Sequence, residues 1–269
     1  MINLEILREE YLKNGYSYAE ATAKICHDIL LEKISKSKLK NNITIKGGVV
    51  MYSLSSDKRR ATKDLDLDFI NYSISDKSVR LFINELNLIK DGIEIFIKDD
   101  IEELHHEDYN GKRLNVVLKD KNNMKFATKL DVGVHKNLDI KQDEYYFYLE
   151  TFDEQVILMI NSKEQIVCEK IKSLLKFGIR NTRYKDIFDI YYLLKFKNID
   201  KGKLLKIIDL LIIANDSARE NSLIEIINNI SIVFNNKYFI GNLSDARNNW
   251  LGISVEEVTR YIIAYFNNL

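Results

Sequence analysis

The spacing of hydrophobic residues changes along the chain, and each change marks a structural element. Through residues 2–34 apolar positions recur every three or four residues; Ala21, Ile25 and Ile29 share one side, with Leu30 beside them. That spacing predicts helices over 2–13 and 17–34. A short β-branched run at 41–45 predicts a strand, broken by Gly47-Gly48 and followed by a short helix over 49–55. Between 63 and 71 the period drops to two: Asp64, Asp66 and Asp68 alternate with Leu65, Leu67 and Phe69, a strand signature. A helix is predicted over 78–87 and extended runs over 94–98 and 113–118. The second run, a turn at 120–123 and the run 125–134 read as an antiparallel hairpin. The segment 153–159 is a further candidate for the sheet.

From about residue 162 helical periodicity takes over and persists, with breaks, to Leu269. Ser162-Lys-Glu-Gln165 has the spacing of a capping box, in which the serine oxygen and the glutamine side chain each satisfy a free N–H group at a helix start. The pattern therefore predicts an α+β chain: residues 1–160 as strands and flanking helices, and 161–269 as a helical C-terminal domain. No internal repeat or low-complexity linker interrupts it.

Composition narrows the function. Lys+Arg and Asp+Glu number 40 each, so the chain is formally neutral and any contact with nucleic acid must come from a local basic surface. The two cysteines, Cys26 and Cys168, are far apart and lack metal spacing, which fits small buried residues in a reducing, cytoplasmic setting. The charged N-terminal stretch does not resemble a signal peptide. Apolar runs such as 210–213 are far too short to span a bilayer, so no membrane partner is expected.

The aspartates carry the chemistry. In a strand, residues two apart face the same way, roughly 7 Å from each other, so Asp64, Asp66 and Asp68 share a face. Three anions there repel unless something positive joins them. Oxygen ligands suit Mg²⁺, whereas a solvated edge strand is the plainer explanation. Gly47-Gly48 changes the balance. Glycine permits close backbone approach, and a helix N-terminus favours anions, so a strand, a Gly-Gly corner, a short helix and then Asp-x-Asp place a phosphate cradle beside a metal site.

KGGVVMYSL followed by RATKDLDLDF resembles the nucleotidyltransferase toxins of the abortive-infection AbiEii/AbiGii type, a branch of the DNA polymerase β-like superfamily. On that resemblance Arg60, Thr62, Asp64 and Asp66 occupy the family's Arg-x-Ser/Thr-x-Asp-hydrophobic-Asp pattern, residues 1–160 adopt a polymerase β-like nucleotidyltransferase core, a mixed central sheet flanked by helices, and the helical domain 161–269 completes its cleft. The metal pair it implies is Asp64 and Asp66, with Asp68 an extra carboxylate, although spacing alone leaves an Asp66/Asp68 pair open. The third carboxylate it implies is Asp131, in KLDVGVH, opposite to Leu130, Val132 and Val134; the plainer reading is a surface aspartate. Asp143, Glu144 and Glu150 are weaker candidates. Tyr109, Gly111 and Arg113 resemble the family's first hairpin strand and read as structural.

A second block, VCEKIKSLLKFGIRNTRYKDIFDIYYLL, resembles the family's Glu-Lys helix followed by Asp-x-x-Asp. Glu169 and Lys170 match the first part. Lys185, Asp186 and Asp189 match the second, with lysine where the family usually has arginine, which keeps charge but loses the bidentate fork. Lys170 can place charge against a triphosphate, and Asp186 or Asp189, neighbours on one helix face, can orient Lys170 or contact the nucleotide. Lys172, Lys176, Arg180, Arg183 and Lys185 can steer an NTP or an RNA backbone or form a solvated face. Tyr191 and Tyr192 fit a helical core better than a stacking platform. His27, His105, His106 and His135 receive no role.

The resemblance thus implies a Mg²⁺- or Mn²⁺-dependent nucleotidyltransferase, a toxin of a type IV-like toxin–antitoxin or phage-defence system with a cognate antitoxin encoded nearby. Its substrate is an NTP and its implied acceptor an RNA, such as the tRNA 3′ end. The alternatives are transfer to a protein hydroxyl, a phosphotransferase, and a non-catalytic module that binds a protein through its charged face.

Overall fold

A computed structural model describes residues 2–104, 111–215 and 219–269. His105, His106 and Tyr109 lie outside the described residues. The chain divides into two compact units, Met1–Asn161 and Ser162–Leu269.

The first unit opens with α1 (Leu4–Lys13) and α2 (Tyr18–Lys36). Ser17 and Glu20 close a capping box on α2, which is why that helix begins just after Gly15 and Tyr16. β1 (Ile43–Lys46) runs directly into α3 (Gly47–Ser55), so the helix starts on the double glycine itself. Then come β2 (Asp64–Phe69), α4 (Asp76–Leu86), β3 (Glu94–Ile97), β4 (Glu102–Leu104), β5 (Gly111–Lys119), β6 (Lys125–Val134), β7 (Asp143–Leu149) and β8 (Glu154–Ile160).

The sheet has the order β3-β5-β6-β2-β1-β8-β7, with β4 added on β5. β2·β6 and β1·β8 are parallel and the other pairs antiparallel, so the sheet is mixed. The alternation along β2 has the expected effect: Leu65, Leu67 and Phe69 are fully buried, and Phe69 meets Phe82 of α4 edge-on at 5.4 Å between ring centres. β5 and β6 form the hairpin across the 120–123 turn. There the Asp120 carboxylate accepts from the N–H groups of Asn122 and Met124, each at 2.9 Å, and from Leu4 at 3.1 Å, tying α1 to the sheet.

β8 pairs with β1, and β7 forms the far edge beyond it. This places Asp143 and Glu144 in a regular strand, contrary to the sequence reading, but with β8 and β1 between them and β2. Glu150 follows β7 and accepts hydrogen bonds from Tyr16 at 3.0 Å and Tyr52 at 3.1 Å.

The second unit holds α5 (Lys163–Phe177), α6 (Tyr184–Phe196), α7 (Lys201–Ile208), α8 (Leu223–Phe234), α9 (Lys237–Leu243) and α10 (Val255–Asn267). The apolar run Asp209–Ile213 continues α7 as a π-helical turn. Tyr191 is core, as its spacing suggested: it is fully buried, edge-on to Tyr261, and donates its hydroxyl to Glu257 at 2.5 Å. Tyr192 packs on the buried Trp250. Only half of the expected capping box forms on α5. Ser162 accepts from the Gln165 N–H, but the Gln165 side chain donates instead to Glu169, one turn on, at 2.8 Å. Among the described residues no helix is long and apolar enough to cross a membrane. Cys26 and Cys168 are free and buried, and burial pushes both thiols well above the usual cysteine range.

Candidate active site

One face of the sheet is charged across four adjacent strands. In the parallel β2·β6 ladder Asp66 lies opposite Asp131 and Asp64 opposite Lys129; in β5·β6 Arg113 lies opposite Asp131; in β1·β2 Lys46 lies opposite Asp66. Paired residues on neighbouring strands project from the same face, so the three carboxylates share it with Lys46, Lys129 and Arg113. The opposite face of the same strands carries Leu65, Leu67, Leu130 and Val132, all buried.

Asp66 meets the glycine corner. A Cβ placed on Gly47 would sit 2.0 Å from Asp66 Oδ2, and one placed on Gly48 would sit 2.6 Å from Thr62 Cβ. Gly47 also has φ +69°, a left-handed conformation that side chains disfavour. The sequence pattern alone makes the double glycine room for a phosphate. In the folded chain that room is first needed by the protein's own Asp66 and Thr62. Lys46, at the N-cap of α3, supplies no side-chain cap to the helix start. The first turn of a helix presents N–H groups without intrahelical partners and the positive end of its dipole.

The three aspartates of β2 are not equivalent. Asp68 is almost fully buried and forms an ion pair with Lys46 at 2.8 Å. Asp66, one rung along, is the one lodged against Gly47. Asp64, at the start of the strand, is half-exposed. Thr62 precedes it, its hydroxyl 3.5 Å from the Asp64 carbonyl. Arg60 is buried at the end of a short 3-10 turn, Lys58–Arg60, that Asp57 caps by accepting from the Arg59 N–H at 2.9 Å.

Asp131 is held by Arg113, a residue that the resemblance marks only as structural. The Arg113 guanidinium donates to both carboxylate oxygens, Nε at 2.8 Å and one terminal nitrogen at 2.7 Å. This fork-on-fork geometry is the strongest kind of carboxylate contact, and the Asp131 hydrogen bonds push the Arg113 guanidinium further above its ordinary range.

Among the described residues no three Asp, Glu, His or Cys side chains are gathered into a ready ligand group. The donor chemistry nonetheless suits a hard divalent cation. Asp64 and Asp66 are oxygen donors on one strand face, and the notch that only a glycine leaves open at position 47 sits at Asp66.

The second unit gathers its own candidates. The Lys170 ammonium on α5 reaches both carboxylates of the α6 pair, donating to Asp186 and forming an ion pair with Asp189 at 2.9 Å. Asp189 is fully buried, so the three-residue spacing on α6 and the Glu-Lys step on α5 serve one clasp. Lys185 is half-buried beside it in sequence. Of the cationic stretch, Lys176, Arg180 and Arg183 are exposed and Lys172 is half-buried.

A sequence model of the family described as nucleotidyl transferase AbiEii toxin, type IV TA system, matches residues 28–230. The chain belongs to the AbiEii toxin family. It is therefore a nucleotidyltransferase, and the toxin half of a type IV toxin–antitoxin pair that implies a cognate antitoxin and an NTP substrate. This membership sets aside the reading of the charged face as a non-catalytic binding module. No curated protein sequence matches the chain. Among solved structures the chain is similar to an antigenic nucleotidyltransferase-like protein from Paracoccidioides brasiliensis, at 17% identity and a TM-score of 0.46, covering 82% of this chain and 91% of that one.

Proposed function

We propose that this AbiEii-family chain transfers a nucleoside monophosphate from an NTP to an RNA acceptor, with the 3′ end of tRNA as the first candidate, using Mg²⁺ or Mn²⁺ held by Asp64, Asp66 and Asp131. The observation that supports this most directly is the fit of Asp66 into the Gly47 notch with Asp131 directly opposite it on the adjacent strand. A bound divalent cation supplies neutralisation of the triphosphate charge and lowers the pKa of an acceptor hydroxyl.

In this reading the N–H groups at the start of α3 receive a phosphate, a use to which helix N-termini lend themselves. Thr62, whose hydroxyl lies 3.5 Å from the Asp64 carbonyl, and Arg60 are the further nucleotide-binding candidates beside the corner. The acceptor oxygen attacks the α-phosphorus, the bond to the β-phosphate breaks, and pyrophosphate leaves. Asp131, held in a fixed rotamer by Arg113, takes up or relays the hydroxyl proton. Lys170, clasped by Asp186 and Asp189 and with Lys185 next to Asp186 in sequence, is the second unit's own candidate for binding an NTP phosphate. Positioning and charge complementarity account for most of the acceleration. A cytoplasmic toxin acting in phage defence is the setting that fits this chemistry.

The test is to incubate the protein with each α-labelled NTP in turn, together with total RNA or with cell protein, and with an Asp64→Asn variant as control. Label entering RNA supports the proposal. Label entering protein, or transfer of the γ-phosphate in a parallel incubation with γ-labelled NTP, replaces it with one of the two enzymatic alternatives.

A further inference from the structure

Away from the aspartate face the first unit carries a second concavity. A cleft of about 470 Å³ opens between α1, the C-terminal half of α3 and β7, and six tyrosines line it: Tyr11, Tyr16, Tyr52, Tyr145, Tyr146 and Tyr148. An inner recess of about 40 Å³ shares Tyr16, Tyr52, Ser53 and Tyr148 with the cleft and extends to His27, Asp28, Val49 and Thr62. The cleft has the size of an ordinary small-molecule site, and the recess has room for one group about the size of a water molecule.

Three features define what would bind. First, the lining is acidic: among the described residues Glu10, Glu20, Asp28 and Glu150 outnumber the two lining cations, Lys58 and Lys24, the latter paired with Asp28 at 2.7 Å and Glu150 at 3.7 Å. That sign disfavours a phosphate or a nucleic-acid backbone. Second, the tyrosine faces already hold cations. The Lys58 ammonium lies 4.3 Å from the centre of the Tyr16 ring, and Lys24 lies 5.6 Å from that of Tyr52 while pairing with Asp28 at 2.7 Å. Aromatic faces edged by carboxylates are a cation-binding chemistry. Third, His27 is 5% exposed, and its Nε2 has no hydrogen-bond partner among the described residues. Burial draws the ring's pKa down to about 4, so it is neutral and seeks one more hydrogen bond.

We propose that this cleft binds an aliphatic di- or polyamine, with one amine head in the recess against His27 and Asp28 and the alkyl stem along the tyrosine rings. Glu150, fixed by the Tyr16 and Tyr52 hydroxyls, faces a further amine in the outer cleft. The recess wall includes Val49 of α3 and Thr62, the residue packed against Gly48. Occupancy therefore braces the helix whose first turn forms the glycine corner.

The test is calorimetric titration of the full chain with putrescine and spermidine at fixed ionic strength, with adenosine, cytidine and MgCl₂ as comparison ligands. Saturable one-to-one binding of an amine is expected. Glu150→Gln weakens it by roughly tenfold or more, the scale of a lost charge-assisted hydrogen bond. Lys58→Ala tightens it by roughly two- to fivefold, because the intrinsic cation no longer competes for the Tyr16 face. Tyr146→Ala, at a residue 60% exposed, provides a second weakened variant in which the fold is safe. An absence of saturable amine binding, with water alone filling the recess, overturns the proposal. So does amine binding that ignores all three substitutions, or a preference for the nucleosides that Lys58→Ala weakens.

Discussion

Gly47 and Asp66 are in such close contact that the smallest side chain at position 47 would overlap the carboxylate, with a Cβ 2.0 Å from Oδ2. Two penalties follow for Gly47→Ala. The left-handed φ of +69° costs about 1–2 kcal/mol for any L side chain, and Asp66 must leave its position. Because a displacement of about 1 Å in a reacting group can cost on the order of 100-fold in rate, Gly47→Ala should lose at least that much NTP turnover while unfolding at a moderately lower urea midpoint. Full activity in a folded Gly47→Ala protein would show that Asp66 does not work from the glycine corner.

Asp64 and Asp131 should separate activity from stability in opposite ways. Asp64 is half-exposed at a strand end, and substitutions at such positions usually change stability by no more than about 0.5 kcal/mol. Asp64→Asn should therefore fold normally and lose turnover. Asp131→Asn removes the charge that Arg113 grips with two hydrogen bonds, and a charged group deprived of its partner costs about 1–3 kcal/mol. Urea denaturation alongside the labelled-NTP assay distinguishes the two. If Asp131→Asn is as stable as the parent chain, the Arg113 clamp contributes little.

Much of this was legible in the residue pattern, and what was not has identifiable causes. Period two through Leu65, Leu67 and Phe69 marked β2 because one side of that strand is fully buried. β7 escaped notice because tyrosines stand on both of its faces, with Tyr146 and Tyr148 largely exposed, so hydrophobicity does not alternate. β4 is only three residues long. Gln165 left the capping box because Glu169 sits one helical turn away and competes for its amide. The Arg113 clamp did have a signal: counting back equally along both arms of the hairpin from its turn sets Arg113 opposite Asp131. The spacing of Asp186 and Asp189 likewise suggested a shared partner, but that Lys170 binds both required the packing of α5 on α6.

The Lys170 clasp predicts a rescue of stability without a rescue of activity. Asp189 is fully buried, and removing one member of a buried ion pair typically costs about 3–5 kcal/mol, whereas replacing the whole pair with apolar groups is often near neutral. Lys170→Met should destabilise the chain strongly, and adding Asp189→Leu should recover the part owed to the fully buried Asp189, while the more accessible Asp186, which also loses its cation, keeps the remainder. If Lys170 serves the triphosphate, the recovered double variant still binds NTP poorly. Restored NTP affinity in that variant would make the clasp purely architectural.

His27 makes the pH dependence of stability testable. Its ring is buried and its pKa in the folded chain is drawn down to about 4, by burial first and by the Lys24 ammonium second, against an ordinary value of 6.5. A neutral ring in the fold and a readily protonated one in the unfolded chain mean that the unfolded state binds more protons between those two values. The stabilising contribution is thus complete above about pH 6.5 and is lost as pH falls toward 4, up to about 3 kcal/mol. Asp28, whose carboxyl burial pushes up, works in the opposite direction, but it is present in both proteins when the parent is compared with His27→Gln. The stability difference between the two should therefore shrink by up to that amount between pH 7 and pH 4 in urea titrations. A difference that stays constant across the interval means the ring takes up a proton inside the fold, which requires solvent or a bound anion to reach the recess.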